Sequence, residues 1–176
     1  MKPIIDFLKL LLDQNDVNDD LETGHEFEQY VAELFTEQGN YFSILEWTPD
    51  NSIKHKNFRV ESNQNPDLVI QYNPTKEKFA VECKFRSGLY ENKMAPEGVV
   101  LKWSYSEQIK RYEQFSKDRR IPVFIVIGLG GEPDDPECMF CIPLEEAKYP
   151  ELFTSILEKY ERPSDRLFFW KNRRLT

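Results

Sequence analysis

Residues 65–86, NPDLVIQYNPTKEKFAVECKFR, read as two strands joined by a polar turn near Pro74 and Thr75. The second strand places charges where a half-buried sheet is ordinarily apolar. Residues two apart in a strand share a face, so Phe79, Val81, Cys83 and Phe85 point one way, and Ala80, Glu82 and Lys84 the other. Directly opposed residues of an antiparallel hairpin also share a face. Asp67 falls opposite position 82 to 84. It joins Glu82 and Lys84 only if its partner is even-numbered, which needs an even number of turn residues. On that register, two carboxylates and an ammonium meet at one end of a sheet. Two carboxylates held that close repel unless a cation lies between them. Oxygen donors without His or Cys favour Mg²⁺, which takes one or two carboxylates and completes its shell with water and substrate phosphate. A neighbouring lysine can orient or help deprotonate an attacking water and offset charge developing on a phosphate. The same letters are equally compatible, on spacing alone, with a surface hairpin carrying an exposed Glu–Lys pair of little energetic weight.

Outward from the hairpin the chain alternates helical and strand patterns. Residues 2–13 have Ile5, Leu8 and Leu12 on one helical face, and 13–24 are acidic and polar, as in a loop. HEFEQYVAELFTEQG (25–39) carries Phe27, Val31, Leu34 and Phe35 as a core stripe, with Gly39 as the stop. Residues 40–49 read as a strand and 50–65 as a polar loop. Residues 87–103 read as a long connection, of the kind that is often functional; its Tyr90, Lys93, Lys102 and Trp103 are placed to cover a substrate or stack a base. Residues 104–120 form a helix capped at Ser104 or Ser106, with Ile109, Tyr112 and Phe115 inward. IPVFIVIGLGG (121–131) is a strand buried on both faces, 137–144 another, 145–160 a helix broken at Pro150, and 166–172 a segment packed back onto the domain. The expected class is α/β, a mixed central sheet flanked by helices.

The 176 residues suit one domain, and 40% apolar with 14% aromatic residues suffices for a core. No run approaches the ~18 apolar residues of a membrane span, and MKPIIDFLKLLLDQ lacks the features of a signal peptide. Three cysteines, an odd number, argue against a disulfide framework and fit a reducing cytoplasm. Cys138 and Cys141 form a CxxC, but in a strand these positions face opposite ways, and a second ligand pair is missing; buried structural thiols are expected. The net charge of −8 speaks against a polyanion partner, yet all of the excess lies in residues 1–40, where ten acids face Lys2 and Lys9. Residues 102–120 hold six bases against Glu107, Glu113 and Asp118, which leaves room for a local basic face.

Pro66-Asp67, fourteen intervening residues and then Glu82-Cys83-Lys84 resemble the PD-(D/E)XK nuclease superfamily, with its restriction-endonuclease-like fold. GHEFEQYVAELF (24–35) is similar to the first helix of its Mrr-like and Holliday-junction-resolvase-like branches, which puts Glu28 in the place of their helix acid. QIKRY (108–112) resembles the QxxxY helix of the RecB-like branch, and RRIPVFIVIG (119–128) the core strand that follows it. The resemblance covers residues 24–131. It implies a core at 24–145, an acidic extension at 1–23 and a C-terminal helix and tail at 146–176.

It further implies a Mg²⁺-dependent (Mn²⁺ substituting) DNA endonuclease of restriction or repair type. Asp67, Glu82, the backbone carbonyl of Cys83 and Glu28 are then metal ligands, Lys84 positions the water, and Gln108 steadies the site. Lys110 and Arg111, flanked by the Gln–Tyr pair, are candidates for phosphate contact. Tyr112 matches the core stripe, Glu26 a solvated helix position, and His25 the surface. The implied partners are DNA and a second copy or separate DNA-recognition subunit, with no membrane. The alternative is a catalytically inactive module of the same fold that binds protein or nucleic acid.

Overall fold

The computed structural model describes residues 21–37, 39–48 and 65–176. The helix expected at 2–13, the loop at 50–64 and most of the acidic segment at 13–24 lie outside the described residues. Helix α1 (Leu21–Thr36) begins four residues before His25. Its stripe Phe27, Val31, Leu34 and Phe35 is fully buried, and Gly39, at φ 70°, carries the chain away from the helix.

Strands β1 (Phe42–Trp47), β2 (Leu68–Tyr72) and β3 (Glu77–Arg86) form an antiparallel meander. After β3 come β4 (Tyr90–Glu91), β5 (Val99–Lys102) and helix α2 (Ser106–Arg119), and the chain returns as β6 (Val123–Glu132), parallel to β3. Strand β7 (Asp135–Pro143) pairs antiparallel with β6. The remaining elements are β8 (Glu151–Phe153), α3 (Thr154–Lys159), β9 (Glu161–Arg162), β10 (Trp170–Lys171) and β11 (Arg174–Leu175). The central sheet runs β1-β2-β3-β6-β7-β9, and helices cover both of its faces. This is the expected mixed α/β architecture.

The apolar run of β6 makes sense only between two cores. Val123, Ile125, Ile127 and Leu129 join Ile109, Tyr112 and Phe115 of α2 in one cluster, while Phe124 and Val126 join the α1 stripe in the other. At Gly128 a Cβ would stand 2.6 Å from the ring of Phe27, so glycine is what lets α1 approach the sheet. Cys138 and Cys141 of β7 fall in opposite clusters, as the two-residue strand period dictates. In the C-terminal segment, Phe168 and Trp170 are buried beside α1.

Three expectations are corrected. Residues 87–103 are not an open connection: β4, β5 and β8 form a second, three-stranded sheet. Trp103 is 0% exposed and donates its indole N–H to the Tyr149 carbonyl at 2.8 Å, so it offers no face to a base. Arg86 ties this sheet to β3 through the carbonyls of Lys102 and Trp103, both at 2.8 Å. Residues 145–160 are turns, strand β8 and the short α3 rather than a helix broken at Pro150, because Leu152 is drawn into the pairing with Leu101. The α2 cap position is Tyr105, with no side-chain cap bond, because Ser104 donates to the Gln108 side chain instead, at 2.6 Å.

Candidate active site

The turn after β2 decides the parity that the sequence left open. Tyr72 pairs with Glu77, so the turn is Asn73 to Lys76, an even number of residues. Lys76 takes φ 63° to close it, its N–H donating to the Tyr72 carbonyl at 2.8 Å. The ladder continues to Leu68 opposite Val81. One step further, Asp67 stands across from Glu82 and therefore on the face of Glu82 and Lys84. Asp67 is locked there from both sides. Its Oδ2 accepts the Cys83 N–H at 2.7 Å, and its carbonyl accepts the Thr48 N–H at 2.8 Å.

Glu82 is 2% exposed. Its Oε1 lies 2.6 Å from Lys84 Nζ, and its Oε2 is buried with no hydrogen bond of good geometry, the Tyr112 hydroxyl approaching the same carboxylate from α2. Glu28 reaches the same end of the sheet from α1, 6% exposed, and Trp47 Nε1 donates to its Oε2 at 3.4 Å. His25, on the surface as expected, has its Nδ1 3.8 Å from that oxygen, and Glu26 is exposed.

The electrostatics follow from crowding acids into a dry place. Burial, then the charges of Glu82 and Glu28, push the Asp67 carboxyl well above the usual aspartate range, against the pull of Lys84 and the Cys83 N–H. Burial works to lower the Lys84 ammonium, but Glu82 and Asp67 outweigh it and hold its pKa above the ordinary value. The Cys83 thiol, buried on the α1 face, is pushed up by burial and then by Asp67, Glu28 and Glu82. It is a packed thiol beside the site rather than a nucleophile.

Two residues take other places than the sequence suggested. Gln108 is half-buried on α2, but its hydrogen bond is to Ser104 and none joins it to Asp67, Glu82 or Lys84. Tyr112, one turn on, is the side chain facing Glu82. Burial and then the Glu82 carboxylate raise its hydroxyl far above an ordinary phenol. Its position in QIKRY marked the correct helix face, and the inward stripe concealed that its polar tip meets an acid. Lys110 is exposed; Arg111 is half-buried, with its Nε lacking a protein partner.

Among the described residues no three His, Cys, Asp or Glu side chains converge to hold a metal by side chains alone. The residues nevertheless fit a small hard cation. The donors are oxygens, a buried carboxylate oxygen has no hydrogen-bond partner of good geometry, and burial followed by the charges of Glu82 and Glu28 raises Asp67. Magnesium commonly takes two carboxylates and leaves the rest of its shell to water, backbone and substrate.

No family model matches the sequence, and no curated protein matches it. Among solved structures, the chain is similar to Archaeoglobus fulgidus Hjc, a Holliday junction resolvase from an archaeal hyperthermophile. The TM-score is 0.48 at 11% identity, over 79% of this chain and 93% of that one. No helix among the described residues is long and apolar enough to cross a membrane.

Proposed function

We propose that the chain is a Mg²⁺-dependent nuclease that hydrolyses phosphodiester bonds in DNA, an endonuclease of restriction or repair type acting in the cytoplasm. One observation carries the reading. The β2–β3 register sets Asp67 across from Glu82 with Lys84 alongside, and leaves Glu82 Oε2 buried with no hydrogen bond of good geometry.

Asp67, Glu82 and the Cys83 carbonyl would hold the metal, with Glu28 holding it or its waters. When bound, the ion supplies Lewis-acid polarisation of the phosphate and a more acidic water. Lys84, kept in its charged form, donates hydrogen bonds that orient the attacking water and offset charge on the phosphate oxygens. Tyr112 restrains Glu82 from the helix side, while Gln108 is engaged by Ser104 at the start of the same helix. Lys110 and Arg111 lie on the same helix and suit contact with the phosphate backbone. DNA is the partner, and a second copy of the chain or a separate recognition subunit would supply the remaining contact surface.

Purified protein should nick supercoiled plasmid with Mg²⁺ or Mn²⁺, and Asp67→Ala and Lys84→Ala should each abolish nicking. Failure to cleave any DNA or RNA form, together with a melting temperature indifferent to both metals, would sink the proposal. The 2.6 Å Lys84–Glu82 pair favours a second reading, an inactive binding module in which the lysine satisfies the acid without a metal. In that case Mn²⁺ leaves the melting temperature unchanged and Glu82→Ala retains partner binding.

A further inference from the structure

Of the chain's three tryptophans, Trp103 and Trp170 are 0% and 7% exposed, while Trp47 is 40% exposed. A half-open indole forfeits apolar burial, and its placement calls for a reason. The placement is built. A bulge in β1 leaves Leu45 without a partner between Ile44, opposite Ile70, and Glu46, opposite Val69, and this sets Trp47 across from Leu68, on the α1 face where Glu28 lies rather than on the face of Glu82 and Lys84. The following residue, Thr48, donates its N–H to the Asp67 carbonyl at 2.8 Å. The indole N–H is directed at Glu28 Oε2, 3.4 Å away. The ring is thus tied by one edge to the acid cluster, and no other aromatic ring among the described residues stacks on it.

We infer that Trp47 is a stacking platform for an unpaired nucleobase beside Glu28, at the α1 edge of the phosphodiester site, so that the preferred substrate is single-stranded or carries an unpaired or terminal base there. This deepens the nuclease reading and rests on it. A pre-oriented exposed ring loses little entropy on contact, and base–aromatic stacking gains affinity without sequence preference. Inside a continuous duplex both faces of a base are already covered, and extracting it costs energy. A ring bordering a phosphodiester site therefore discriminates by strand state.

The test uses the two buried tryptophans as a silent background. Short oligothymidylate is titrated into the protein in EDTA and again with Ca²⁺, and tryptophan emission is read together with the anisotropy of labelled oligonucleotide. Wild type should show quenching. Trp47→Phe keeps a ring and should bind nearly as well while losing the quenching. Trp47→Leu should bind single strands about tenfold to a hundredfold more weakly and blunt duplex little differently from wild type. Absence of quenching in wild type, quenching that persists in Trp47→Phe, or equal single-strand binding by Trp47→Leu each overturns the inference. An emission shift that depends on protein concentration without DNA assigns the surface to a second copy and likewise overturns it. Stacking with no cleavage of any nucleic acid removes the nuclease reading alone. Cleavage indifferent to Trp47→Leu on every substrate removes the stacking alone.

Discussion

The two faces of β3 are made by the same ten residues and serve opposite ends. On the α1 side, Phe79, Val81, Cys83 and Phe85 enter an aromatic core. The ring of Phe79 stacks on Trp170 at 4.5 Å and lies edge-on to Phe124 and Phe42, and Phe35 stacks on Phe168 at 4.2 Å. On the α2 side, Ala80 is followed by Glu82 and Lys84, facing Asp67 across the ladder. A strand can afford an electrostatically unfavourable face when its reverse is anchored this densely. Charges that repel one another are held in place by packing they take no part in, which is how preorganised sites are commonly supported.

The contrast can be broken from its stronger side. Phe79→Ala opens a cavity among Phe35, Phe42, Phe124 and Trp170, and should cost about 3–5 kcal/mol in denaturant unfolding. A loss under about 1 kcal/mol would mean the aromatic face is not the anchor. Next in size is Lys84→Met, which strips the partner from an acid whose side chain is 3% exposed while the lysine itself is 19% exposed. A loss of about 2 kcal/mol in metal-free buffer is expected, below the full cost for a deeply buried pair because water reaches the lysine.

Asp67→Asn should move the other way. Its carbonyl oxygen can still accept the Cys83 N–H, and it removes a charge that burial and two neighbouring acids oppose. The sign follows from linkage. A carboxyl with a raised folded pKa binds its proton more tightly in the folded state, so wild-type stability falls as pH rises from the ordinary aspartate range through the raised value. The variant lacks that fall. Its advantage in EDTA should grow across the same window to about 1 kcal/mol, or ~2–4 °C in melting temperature. Equal melting curves at neutral pH would show that the site holds no such repulsion. The smallest effect belongs to an exposed pair. Arg119 and Glu46 meet at 2.7 Å with side chains 46% and 44% exposed, so Arg119→Met should change stability by less than about 0.5 kcal/mol, and less still in high salt.

Much of this was legible in the letters because it obeys short periods. The α1 stripe, the doubly buried β6, the opposed cysteines of β7 and the shared face of Glu82 and Lys84 all follow from periods of 3.6 or 2. Segments whose state depends on distant pairing were misread. Residues 87–103 and 145–160 look irregular or helical locally, yet Val100–Phe153 and Leu101–Leu152 pairing makes them a sheet. Trp103 lies in the core although its sequence surroundings suggest exposure, because an aromatic residue in a polar stretch carries no mark of its burial. Gln108 and Tyr112 shared a helix face as expected, but the sequence could not say which of the two would meet the acid.

From the residues alone came the charges on one face of β3, the apolar stripe of α1, and the alternation that binds Glu82 to Lys84. Those properties repeat within a few residues, and backbone geometry enforces them whatever the rest of the chain does. Folding added the turn of even length that brought Asp67 to that face, the bulge that set Trp47 against Glu28, and Tyr112 against Glu82. Each of these depends on which segments meet across long stretches of chain, and such pairings are chosen by the packing of the whole core rather than by any local period.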